Sequence, residues 1–87
     1  MDRSIKIVYF AWVRERLGLE EENIAIGGGV KTISDVLDVL KNRSDTYADI
    51  FSDVEKLRFA LDQDYGLPAS EIGAAQELAI FPPVTGG

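Results

Sequence analysis

The sequence predicts an α+β domain in which one mixed sheet is packed on one side by one main helix. Three observations point there: two strand-like runs near the start, one strongly amphipathic stretch in the middle, and two more strand-like runs before the end. Each apolar stripe needs a surface to bury against, and in 87 residues the simplest solution is a single sheet with the helix lying on it. If the crossover is right-handed, the first and last strands lie side by side in the middle as a parallel pair. The chain, 1–87, reads as one domain with 82–87 as an extended, flexible C-terminal tail.

Taken in order, "SIKIVYF", Ser4 to Phe10, is rich in β-branched and aromatic residues and puts Ile5, Ile7 and Tyr9 on one face of a first strand. Trp12, Val13 and Leu17, set among Arg14, Glu15 and Arg16, fit a short helical turn ended by Gly18. Glu22 to Ile26 alternates Ile24 and Ile26 with smaller or polar neighbours and reads as a second strand, antiparallel to the first. After Gly27, Gly28 and Gly29, the residues Ile33, Val36, Leu37 and Leu40 recur at i, i+3, i+4 and i+7, the strongest helix signal in the chain. Thr32 and Asp35 have the spacing of a capping box at its start.

Tyr47, Ile50 and Phe51 can form one short helical face. Lys56 to Asp62 alternates Leu57, Phe59 and Leu61 against Arg58, Ala60 and Asp62, as a strand does. The stretch from Gln63 to Ser70 holds Gly66 and Pro68 and reads as a turn region. Glu77 to Phe81 is the last strand, stopped by Pro82, which has no N–H to give a ladder. The order is therefore β, β, α, β, β with small helical insertions.

Composition excludes whole classes of function. Apolar residues at 46% and charged residues at 28% suit a folded domain rather than a disordered chain. Fifteen Asp and Glu against nine Lys and Arg leave a net charge of −6, which repels nucleic acid and suits a basic protein partner or plain solubility. Without Cys or His there is no disulfide, no thiolate, no imidazole base and no usual zinc or copper ligand, so no metal and no cofactor bound by this chain is expected. The apolar run Ile7 to Val13 falls short of the roughly 20 residues of a membrane span, and charged residues come directly after it. Cytoplasmic location and no membrane partner are the expectation.

Two apparent motifs dissolve on inspection. "GGGVKT" resembles a phosphate loop, but Val30 stands where that pattern puts Gly directly before Lys, so a flexible connection is the better reading. Asp62 and Asp64 start like a calcium loop, yet the glycine comes one residue early and Gly73 replaces the bidentate Glu. Glu20 to Glu22 read as a solvated turn rather than a catalytic carboxylate pair, with nothing apolar nearby to raise a pKa.

The end of the chain, "FPPVTGG", is different. From Leu78 to Gly87 no residue is charged, so the segment enters a narrow pocket without desolvating one. Pro82 and Pro83 stiffen its base and lower the entropy lost on docking. Gly86 and Gly87 pass a slot too tight for any Cβ, which leaves the terminal carboxylate as the most distinctive group present. A carboxylate is a poor electrophile, and this chain has nothing to activate it. Activation by a partner, for example as an acyl-adenylate, or an ordinary disordered end are the two readings the tail allows.

"FAWVRERLG", "TISDVLDVL", "LRFALDQDYG" and above all "ELAIFPPVTGG" carry a resemblance that covers nearly the whole chain. In these stretches it resembles the small subunits of molybdopterin synthase, which are ubiquitin-like sulfur carriers. That resemblance implies the β-grasp fold and a C-terminal Gly87 that a ubiquitin-activating-enzyme-like adenylyltransferase adenylates with ATP and Mg. A cysteine-desulfurase system then converts it to a thiocarboxylate, which explains a sulfur protein without cysteine.

By the same resemblance the large synthase subunit receives the tail and supplies the catalytic side chains. Sulfur passes there to cyclic pyranopterin monophosphate, typically within a heterotetramer. Pro82, Pro83, Val84, Thr85 and Gly86 would line the channel, and Phe81, Arg14 and Tyr65 would contact the large subunit. Strand alternation leaves Phe81 open to core or interface, and Arg14 to a solvated surface charge.

The chain departs from the family at Ala74 and Ala75, where an Asp-Gly turn is usual, and at Asp62, where Asn is usual. These departures bear on turn geometry and not on the tail. A related carrier for thiamine or protein conjugation, and a pure ubiquitin-like binding module, are the alternatives.

Overall fold

The computed structural model describes residues 3–83. Strand β1 (Arg3–Tyr9) runs into helix α1 (Ala11–Leu17), which Gly18 ends in the left-handed region with φ 72° and its N–H on the Arg14 carbonyl. Strand β2 (Glu21–Ile26) returns antiparallel to β1, with Ile5 opposite Ile24. Helix α2 (Ile33–Lys41), helix α3 (Asp45–Phe51) and a 3₁₀ turn (Val54–Lys56) cross the sheet. Strands β3 (Arg58–Leu61), β4 (Asp64–Gly66) and β5 (Glu77–Phe81) complete it.

The five strands lie in the order β2-β1-β5-β3-β4. β1 and β5 are parallel neighbours, Ile7 beside Leu78 and Tyr9 beside Ile80, as a right-handed crossover requires. β3 pairs antiparallel with β5 on its other side. The last strand is therefore held by a ladder on both edges.

The core forms where the helical period of α2 meets the two-residue period of the strands. Ile33, Val36, Leu37 and Leu40 are all buried, against Ile5, Ile7, Ile24, Phe59, Leu78 and Ile80 from the sheet. The Thr32 hydroxyl accepts from the Asp35 amide at 3.1 Å, and the Asp35 carboxylate accepts from the Thr32 and Lys31 amides at 3.1 and 2.9 Å. Those two backbone donors hold the Asp35 carboxyl below the ordinary carboxylate value.

Three local readings of the sequence need correction. The stretch from Gln63 to Ser70 is not wholly turn: Asp64, Tyr65 and Gly66 pair with Leu61, Ala60 and Phe59 as β4. The strand read from Lys56 to Asp62 is shorter at both ends, because Lys56 closes the 3₁₀ turn and Asp62 opens the hairpin. β4 carries too few residues to show an alternation, and its edge position is set by β3. At Gly66 a Cβ would stand 2.7 Å from Ile33 Cδ1, so a larger residue there would need the end of the Ile33 side chain to shift.

Glu22, read both as the first residue of the second strand and as the end of a solvated turn, does lie on β2 with the parity of Ile24 and Ile26, but its side chain is largely buried rather than solvated. Its Oε2 accepts from the hydroxyls of Tyr9 and Tyr47, each at 2.7 Å, and Oε1 lies 3.3 Å from Arg43 Nη2. Those partners stand up to 25 residues away in sequence, so nothing next to Glu22 announced them.

Candidate functional site

β5 positions the site, because its alternation sorts two sets of side chains. Leu78 and Ile80 point into the core, whereas Glu77, Ala79 and Phe81 take the opposite face of the sheet, which among the described residues no helix covers. Phe81 is the last residue of the strand and is half-buried. Its ring meets Phe10 edge-on at 6.4 Å on one side and Tyr65 edge-on at 6.0 Å on the other.

The row Phe10, Phe81, Tyr65 results from register. Tyr65 on β4 sits opposite Ala60, and Arg58 on β3 sits opposite Phe81, so Tyr65 and Phe81 approach on a diagonal. Phe10 comes after inward-facing Tyr9 and turns outward at the start of α1. Tyr65 is 75% exposed and Phe10 45%, and Leu67 beyond β4 is 70% exposed. Exposed aromatic side chains gathered at one end of an open sheet face form an apolar patch of the kind that marks contact surfaces.

Charged groups occupy the rest of the open face and its surroundings. Lys6 lies 3.7 Å from both Glu21 and Glu77, and Arg58 Nη1 donates to the Glu55 and Leu57 carbonyls at 3.0 and 2.8 Å. Arg14 stands one helical turn past Phe10, its amide reaching the Phe10 carbonyl at 3.4 Å and its guanidinium 3.9 Å from Glu20 Oε1. The structure thus brings Phe81 and Tyr65 together and sets Arg14 at the end of the row near Phe10.

Phe10, which belongs to the aromatic row, and Leu67, exposed beyond β4, escaped the sequence reading. The alternation that sends Tyr9 inward also sends Phe10 outward, so a signal for Phe10 existed. Leu67 had none, because β4 was not visible.

The root of β5 is secured from below. Asp62 Oδ1 accepts from the Gln76 and Glu77 amides at 3.0 Å each, and the Asp62 amide donates to the Glu77 carbonyl at 3.0 Å. Arg3 donates to the Gly73 and Ala75 carbonyls at 2.6 and 3.0 Å. Gly73, with φ 51°, supplies the left-handed residue of this turn, so Ala74 and Ala75 need not.

Pro82 and Pro83 come next, both half-buried. Val84, Thr85, Gly86 and Gly87 lie outside the described residues. Among the described residues no helix is long and apolar enough to cross a membrane.

A mixed sheet with a central parallel pair, grasping one main helix, and an aromatic patch at the end of its last central strand define a ubiquitin-like β-grasp protein. The model of the ThiS family matches residues 7–87, and the chain belongs to that family. It is 33% identical over 86 residues to a protein of Chlamydomonas reinhardtii named molybdopterin synthase sulfur carrier subunit, covering 97% of this chain and 99% of that one.

Two solved structures share the fold. One is a Pyrococcus furiosus protein described as a candidate molybdopterin converting factor, subunit 1, with TM-score 0.72 and 24% identity over 93% of this chain and 98% of its own. The other is small archaeal modifier protein 1 of Haloferax volcanii, with TM-score 0.75 and 22% identity over 93% of this chain and 98% of its own.

Proposed function

We propose that this chain is a sulfur carrier of molybdenum cofactor biosynthesis, the small subunit of a molybdopterin synthase, with Gly87 as its sulfur-bearing terminus. The observation that carries the reading is the uncharged run from Phe81 to Gly87, which leaves the central strand at a rooted point beside an aromatic docking patch. Family membership and the name of the Chlamydomonas relative support it.

In this reading the Gly87 carboxylate attacks the α-phosphorus of ATP, held with Mg by an activating enzyme, and pyrophosphate leaves. The outer sulfur of a persulfide from a desulfurase system attacks the acyl-adenylate and displaces AMP, forming an acyl disulfide. A thiol reductant then cleaves its S–S bond to leave the thiocarboxylate. The large synthase subunit takes the tail, with Phe10, Phe81 and Tyr65 against its surface, and sulfur passes to cyclic pyranopterin monophosphate. Two loaded carriers supply the two sulfurs of one dithiolene. Arg14 lies beside that contact and meets an acidic group of the partner.

A reconstituted synthase reaction tests this with two variants. A chain extended beyond Gly87 forms no product yet melts as the wild type does, because it has no terminal carboxylate to load. Tyr65→Ala, an exposed position where the stability change stays within about 0.5 kcal/mol, binds the large subunit at least tenfold more weakly. Product from an extended chain that mass analysis shows to be uncleaved contradicts the carrier reading.

A further inference from the structure

Backbone pairing of the last strand stops at Phe81, opposite Arg58, and the final backbone hydrogen bond beside it runs from the Phe10 amide to the Ile80 carbonyl at 3.2 Å. Pro82 and Pro83 have no N–H to donate. Among the described residues neither proline joins a backbone hydrogen bond. Their course is therefore open to the side chains beside them.

The packing surface comes from α1. Trp12, the only tryptophan of the chain, is half-buried on that helix and packs against the core. Together with Arg16, Glu55 and Lys56 it lines a cleft of about 540 Å³ of which Pro82 and Pro83 form the other wall. Arg16 also meets Asp49 of α3 at 2.8 Å, an exposed ion pair that links the two helices beside the indole. The indole and the proline rings share this cleft, and apolar surfaces so placed close on one another without a polar partner when the tail is drawn along α1.

We infer that Trp12 is a positioning residue for sulfur delivery, setting the line on which the chain leaves the sheet towards the partner's active site. This inference rests on the sulfur-carrier reading. The aromatic row docks the body of the domain, while Trp12 aims the tail. A misdirected root leaves docking intact and misplaces the reacting carbonyl, and small misplacements are costly in rate.

The test uses full chains thiocarboxylated by sulfide cleavage of an intein fusion, so no activating enzyme is needed, in single-turnover transfer with the large subunit. The expected result is that Trp12→Ala lowers the transfer rate at saturating carrier by about tenfold or more. The half-saturating concentration stays within about twofold, and Trp12→Phe recovers most of the rate. In parallel, replacing Pro82 and Pro83 by Gly shifts Trp12 fluorescence to the red, a readout independent of sulfur chemistry.

Transfer by Trp12→Ala at the wild-type rate, in a mixture where the wild type transfers, overturns the inference and leaves the carrier reading standing. Unchanged fluorescence in the glycine variant also overturns it. A thiocarboxylated wild type that transfers nothing to the substrate overturns both.

Discussion

Glu22 holds three partners at once: the hydroxyls of Tyr9 and Tyr47 at 2.7 Å each and the Arg43 guanidinium at 3.3 Å. Arg43 also lies over the Tyr47 ring, 5.3 Å from its centroid. Burial first, then the hydrogen bond to Glu22 and its negative charge, push the Tyr9 phenol well above its ordinary value, and the same causes raise Tyr47. In the unfolded chain both phenols ionise near pH 10, while the fold keeps their protons, so the unfolded state binds fewer protons above that pH. The stabilisation is whole below about pH 10 and is lost as pH rises further. Tyr9→Phe loses about 1–2 kcal/mol at neutral pH, since Glu22 retains two partners, and it escapes part of the alkaline loss. Melting temperatures of the two proteins from about pH 8 to 11 therefore converge; parallel curves contradict the assignment. Little of this was legible beforehand, because three of its four residues meet only through the sheet and helix packing. The Thr32 and Asp35 cap, by contrast, was legible because both partners lie within one turn.

Among the elements, legibility tracked periodicity. Ile33, Val36, Leu37 and Leu40 announced α2, and Leu78 with Ile80 announced β5, because each segment is long enough to repeat its period and one face is fully buried. β4 is three residues long and β3 is trimmed to four, so their pairing is decided by the hairpin between them. That hairpin turns on Asp62 and Gln63, with φ of 47° and 76°, the two-residue turn that favours Asn-Gly or Asp-Gly. Asp tolerates the left-handed region better than Gln does. Gln63→Gly relieves about 1 kcal/mol of backbone strain and raises the melting temperature by about 4–8 °C. An unchanged or lowered melting temperature would show that the turn stores no such strain. Asp62 also binds the Gln76 and Glu77 amides, so this hairpin supports the root of the strand that leads to the tail.

For the molecule as a whole, topology does what the absence of Cys and His leaves undone. The parallel pair β1 and β5 at the centre of the sheet gives the last strand a partner on each side, so force applied beyond Phe81 is borne by two ladders. Around that exit stand an exposed aromatic row on the open sheet face and the Trp12 cleft on the α1 side. The end of the last strand at Phe81 was readable from proline placement, because a missing amide is a local property. The gathering of Phe10, Tyr65 and Trp12 around it was not, since it depends on the diagonal between β4 and β5 and on the turn from β1 into α1. In the proposed function this machinery serves one chemical event, the loading of Gly87 with sulfur. Intact mass of the chain, after incubation with a ubiquitin-activating-enzyme-like adenylyltransferase, ATP, Mg and a sulfur source, reads that event without intermediaries. The expected result is a gain equal to replacing one oxygen by sulfur, absent when Gly87 is deleted. An unchanged mass, in a mixture where a known carrier is loaded, would contradict it.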